Sequence, residues 1–239
     1  MKKIIPYCFV VIIALSFFQC KGQSEEDDAR YTYKSGSFDG IGKYFMGREI
    51  AHVMGFQGIG WLERPEREQQ ENTSRLIKNM NIQPGDSIAD IGAGSGYHVF
   101  KMAPLARNGV VYAVDIQPEM MEAIRKRRKS SGQENIELIK GSEKSVNLPE
   151  NSVDKILMVD VYHEFSFPVE MLESMHRALK EDGKIFLIEY KGEDDTIPIK
   201  KLHKMTEAQA VKEFEANGFR LQENIGNLPW QHCMVFVKR

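Results

Sequence analysis

The 239-residue chain carries 32 Lys and Arg against 34 Asp and Glu, a formal net charge of -2, and is 42% hydrophobic. This composition describes a globular protein with an ordinary core, without the basic excess that marks nucleic-acid-binding domains. Three cysteines, Cys8, Cys20 and Cys233, are too few for a disulfide framework, and Cys233 sits in an apolar run expected in the core.

Met1-Lys2-Lys3 leads into an apolar run that ends at Phe18. It is shorter than the ~20 residues a membrane-spanning helix needs, so 1–19 reads as a secretory signal. Its end, Phe17-Phe18-Gln19-Cys20, resembles a bacterial lipoprotein signal, in which the cysteine becomes the acylated first residue. The resemblance implies lipidation of Cys20 and anchoring to a membrane, although Gln19 and the phenylalanines depart from the small residues usual there. An ordinary cleaved signal, or an uncleaved anchor with the domain facing the cytoplasm, are the alternatives. The polar, acidic stretch that follows cannot bury enough apolar surface to fold, and 20–38 is expected to be a flexible tether.

Residues 39–80 carry a helical pattern: Ile50, Val53 and Met54 form a stripe, and 66–79 reads as one charged amphipathic helix. This segment is expected to be a helical lid, with Trp61 at the rim of a binding site. From residue 81 onward, short apolar runs at 87–91, 110–114, 136–139, 155–159 and 184–188 alternate with helix-sized segments. Alternation of this kind predicts βαβ units and a mostly parallel sheet covered on both faces. Two further runs, 220–225 and 232–238, have no helix between them and predict a closing antiparallel hairpin.

The turn Asp90-Ile91-Gly92-Ala93-Gly94-Ser95-Gly96 follows the first of these strands. Glycines there let the backbone turn sharply and approach a ligand closely. The third glycine arrives one residue earlier than in the dinucleotide fingerprint G-x-G-x-x-G, which disfavours a nicotinamide-dependent dehydrogenase. Asp115 ends the second strand, where a carboxylate can accept hydrogen bonds from both ribose hydroxyls, and Ile116 is placed to pack on a base. Gly141-Ser142-Glu143 follows the third strand.

Together these pieces resemble the class I S-adenosylmethionine-dependent methyltransferases, over residues from about 83 to the C-terminus. The resemblance implies a Rossmann-like, doubly wound α/β fold with seven strands in the order 3-2-1-4-5-7-6, the last antiparallel. It implies S-adenosylmethionine as cofactor, held by Asp90, Gly92, Gly94, Gly96, Asp115, Ile116 and Asp160, with Ser142 or Glu143 reading the adenine. The fourth strand ends in Asp160-Val161-Tyr162-His163-Glu164, which sets Tyr162, His163 and Glu164 around the methyl acceptor. His163 is the general-base candidate, with Glu164 placed to orient or replace it. Both residues serve equally well as caps of the following helix. Trp230 and His232 of the hairpin turn, and Glu189-Tyr190-Lys191 after the fifth strand, are expected to reach the same mouth. His176 and His203 read as surface residues, and no run of cysteines or histidines has metal-ligand spacing. A small-molecule or lipid-like acceptor is expected, with a non-catalytic binding module of the same fold as the alternative.

Overall fold

The computed structural model describes residues 30–239. The signal, Cys20 and most of the expected tether lie outside them. Strands β1 (Tyr31–Tyr33), β2 (Gly40–Phe45) and β3 (Arg48–Ala51) form a small antiparallel sheet in that order. This differs from the helix expected from residue 39, and β1 occupies the end of the expected tether. Positive φ angles at Met46 (49°) and Gly47 (99°) close a two-residue hairpin between β2 and β3, a geometry whose twist suits the flanking strands. Ile50 is fully buried within β3 while Val53 is exposed, so the helical spacing of the stripe is coincidental.

Short helices follow: α1 (Ile59–Leu62), α2 (Arg67–Gln70) and α3 (Thr73–Asn79). The single helix expected over 66–79 is broken at Asn72, which adopts φ 56°. Its side chain accepts the Arg75 N–H at 3.1 Å and caps α3.

The rest is one α/β unit, with β4 (Ser87–Ile91), α4 (Val99–Met102), β5 (Val110–Asp115), α5 (Pro118–Ser131), β6 (Ile136–Lys140), β7 (Val153–Val159), α6 (Pro168–Ala178), β8 (Leu179–Tyr190), α7 (Glu207–Glu215), β9 (Phe219–Asn224) and β10 (Gln231–Lys238). The sheet order is β6-β5-β4-β7-β8-β10-β9. Counted from the first of these seven strands, this is the expected 3-2-1-4-5-7-6. β10 runs antiparallel to both neighbours, while the β6-to-β8 block is parallel.

Side chains alternate along the central strands, as the pleat requires. Ile156, Met158, Ile185 and Leu187 face one core with Leu172 of α6 and Phe214 of α7. Leu157, Phe186 and Ile188 face the other, with Leu76 of α3, Val99 of α4 and Ile124 of α5. Both faces are therefore buried, and ligand space is left beyond the carboxyl ends of the strands. The β1–β3 sheet packs near the start of α6, where Tyr31, Phe45 and Ile50 surround Val169. Arg48 pins it there: its guanidinium holds the fully buried Glu213 of α7 through two 2.9 Å contacts and donates to the His163 carbonyl at 3.0 Å.

Candidate active site

The glycine turn leaves β4 with φ of 73°, 54° and 79° at Gly92, Gly94 and Gly96, a region that side chains avoid. Space is equally restrictive. A Cβ on Gly92 would meet Val161 Cγ2 at 2.5 Å, and one on Gly94 would meet Leu62 Cδ1 at 2.7 Å. The turn brings the Gly94 N–H to Asp115 Oδ2 at 2.8 Å, while the Gln117 N–H donates to Oδ1 at 2.8 Å. Each carboxylate oxygen has further acceptor capacity. Burial raises the Asp115 pKa above the ordinary range, against the pull of these two N–H donors.

A cleft of about 860 Å³ opens over this turn, lined by Gly92, Gly94, Asp115, Ile116, Gly141, Ser142 and Glu143 among others. A second space of about 1130 Å³ adjoins it, with Trp61, Arg67, Tyr190, His163 and His203 in its wall. Val53, Met54, Leu62, Val159, Asp160 and Glu164 line both, so the two are compartments of one site.

Asp160 stands between them in a left-handed conformation, φ 51°. Aspartate is one of the few side chains that tolerate this region. Its Oδ2 accepts from Gln231 Nε2 at 2.7 Å, and its buried Oδ1 has no partner. Burial drives its pKa well up, with Glu71 and Glu189 adding to the effect.

The segment after β7 turns into a 3-10 helix, Tyr162–Glu164. His163 Nδ1 lies 2.6 Å from Glu189 Oε2, and His163 Nε2 lies 3.1 Å from His203 Nδ1. Burial is the largest influence on His163 and pulls its pKa down, but Glu189 and Glu164 outweigh it and leave the imidazole above its usual value. Burial and the facing His163 lower His203 to about 4. Glu164 accepts the Met54 N–H at 3.1 Å, and burial lifts its carboxyl to about 7.

The 59–71 segment covers this site. Glu71 is held by Arg64, by Arg67 Nε at 2.6 Å and by the Tyr190 hydroxyl at 2.8 Å. Glu63 accepts from Ser95 Oγ at 2.5 Å, tying the cover to the glycine turn.

The family model described as a methyltransferase domain matches residues 82–233, more than half of the chain. The chain belongs to the methyltransferase-domain family. One relative, the uncharacterized methyltransferase YdaC of Bacillus subtilis, is 29% identical over 152 residues, spanning 64% of this chain and 81% of that protein. Another, YcgJ of the same organism, is 24% identical over 67% of this chain and 64% of its own length. Among solved structures, a SAM-dependent methyltransferase from Aquifex aeolicus superposes with a TM-score of 0.72 at 24% identity, covering 77% of this chain and 98% of that one. The fold of this methyltransferase-family protein is thus the one its sheet order describes.

The structure brings most of the expected site residues together, but not all. Gly92, Gly94, Asp115, Ile116, Ser142, Glu143 and Asp160 line the first compartment, and Trp61 lines the second. Asp90 lines neither. It is buried beneath the turn with Oδ2 unpartnered, and burial lifts its carboxyl to about 7. Gly96 serves the turn itself, packed against Phe100 and Ile124.

Tyr162 is a correction. It is fully buried in the core against Phe214 and Phe165, so it meets no acceptor. Trp230 and His232 are two more: neither reaches a compartment, and His232 instead contacts Asn224 and Glu193, both at 2.9 Å. The strand period explains the miss, since adjacent residues of β10 point to opposite faces and Gln231 is the one that reaches Asp160. His203 is not a surface residue but faces His163, and only the tertiary fold reveals that pair. The absence of ligand spacing along the chain does not carry into space, because His163, Glu164 and His203 converge.

Proposed function

We propose that this protein is an S-adenosylmethionine-dependent methyltransferase acting on a small or lipid-like acceptor. The observation that carries the reading is Asp115, braced by the Gly94 and Gln117 N–H groups at the edge of a cleft with acceptor capacity left over. In this reading the ribose hydroxyls of S-adenosylmethionine donate to Asp115. The adenine lies against Ile116 beside Ser142 and Glu143, and the ammonium of the methionine part meets the unpartnered Oδ1 of Asp160. A cation there offsets the cost of a carboxylate buried beside two others.

The acceptor occupies the second compartment, between Trp61, Tyr190 and the His163–Glu164 segment. Methyl transfer is an in-line displacement at the sulfonium, so the protein's main task is to position the acceptor. His163 and Glu164 are the groups placed to take its proton. Attachment through Cys20 would hold the domain at a membrane, beside lipid-like acceptors. No helix among the described residues is long and apolar enough to cross a membrane.

The test is incubation of the full chain with methyl-labelled S-adenosylmethionine and a panel of small hydroxyl, amine and thiol compounds, alongside a lipid extract. Label entering one small or lipid-soluble product, with S-adenosylhomocysteine formed in step, is expected. Tight S-adenosylhomocysteine binding with no transfer to any acceptor would leave a non-catalytic binding module instead.

A further inference from the structure

Three donor atoms from two distant stretches of chain meet in the wall of the second compartment. His163 Nε2 and His203 Nδ1 are 3.1 Å apart, Glu164 Oε1 is 3.6 Å from His203 Nδ1, and it is 3.8 Å from His163 Nε2. Two ligands bound at about 2.0–2.1 Å to a tetrahedral zinc ion sit about 3.4 Å apart. One point in space is therefore within bonding reach of all three atoms after shifts of a few tenths of an ångström. We propose that His163, His203 and Glu164 form a binding site for a divalent transition-metal ion of the zinc class.

The surroundings are built for a ligand set. His163 is fixed from behind: Nδ1 faces the buried Glu189 carboxylate at 2.6 Å, which directs the Nε2 lone pair toward the shared point. A carboxylate behind a ligating histidine sets its tautomer and ring orientation. His203 Nδ1 faces that same lone pair, so the two rings require either a shared proton or a shared cation. Charge agrees: Glu164 faces the point and Glu189 lies behind His163, while the nearby cations Arg48 and Lys200 are engaged with Glu213 and Asp39. Two imidazoles with one carboxylate suit zinc, cobalt or iron and disfavour calcium and magnesium.

Three protein ligands leave a coordination position open toward the compartment. With an ion bound, His163 and Glu164 are ligands rather than proton acceptors. The ion would hold an acceptor through an oxygen or sulfur atom and lower its pKa so that its proton is lost to solvent, narrowing the acceptor to one with a metal-binding hydroxyl or thiol. That consequence rests on the compartment being the acceptor's, whereas the metal site itself does not.

The experiment titrates zinc by calorimetry into tag-free, metal-stripped full-length protein, with cobalt as an absorbance reporter of the coordination sphere. One saturable zinc per chain is expected, with cobalt visible bands that zinc displaces. His203→Ala and Glu164→Gln should each weaken zinc binding by tenfold or more, with circular dichroism reporting that the fold is kept. His203 is only half-buried, which makes the first variant the safer one. Absence of saturable binding, or the same affinity in both variants, overturns the proposal. S-adenosylhomocysteine is titrated in parallel: binding of it without zinc sinks the metal site alone, and zinc binding without it sinks the cofactor reading alone.

Discussion

Asp90 lies in β4 two residues before Gly92, the first glycine of the turn, with its Oδ2 buried and unpartnered. Burial lifts its carboxyl from 3.8 to about 7, with the nearby Arg67 only partly opposing and Asp115 adding to the rise. An acid whose folded pKa lies above its unfolded value takes up a proton on folding. Its contribution is complete below about pH 4 and is lost as pH rises to about 7. Ligand-free protein should therefore lose stability over that window, by on the order of 4 kcal/mol from this group. Asp90→Asn should flatten the slope and be more stable than the parent at pH 8, read by denaturant melts across pH. An unchanged slope would mean that Asp90 is ionised and solvated. At this scale the residues of contiguous motifs were legible in the sequence, Asp115 and Asp160 among them. Residues that matter only through a partner were not. His203 acquires meaning from His163, 40 positions away, and Gln231 from Asp160.

Elements were legible where periodicity and punctuation agreed. Pro118 opens α5 and Pro168 opens α6, each at a first helical position. The β1–β3 sheet was missed because Ile50, Val53 and Met54 mimic a helical stripe and the hairpin turns on Met46-Gly47 rather than on an Asn-Gly signal. That sheet is fastened by Arg48, whose partner Glu213 is fully buried. Removing one member of a buried pair leaves an uncompensated charge, at a cost of about 3–5 kcal/mol. Arg48→Met should therefore lower the denaturant midpoint strongly. It should also loosen the His163–Glu164 turn, whose carbonyl Arg48 holds. Replacing Arg48 and Glu213 together by apolar residues should recover much of the stability. A full loss in the double variant would show that Arg48 acts through packing instead.

In the whole molecule, the stretch that follows β3, residues 52–71, forms one side of the site, and the ends of the parallel strands form the other. Trp61, Leu62 and Met54 belong to the first, Asp115, Asp160 and His163 to the second, and the ligand space lies between. Strand-helix alternation made the mostly parallel, doubly covered sheet legible, whereas the order of its strands came from the family resemblance that the glycine turn and Asp115 carry. The division of the cleft into two compartments was not legible, since it depends on how the cover packs. The most direct test of the cofactor site is calorimetric titration of full-length protein and Asp115→Ala with S-adenosylhomocysteine. The parent is expected to bind one equivalent, and the variant to bind at least about tenfold more weakly, since hydrogen bonds to a charged group are lost. Equal affinity in the two proteins, or binding of NAD with none of S-adenosylhomocysteine, would contradict it.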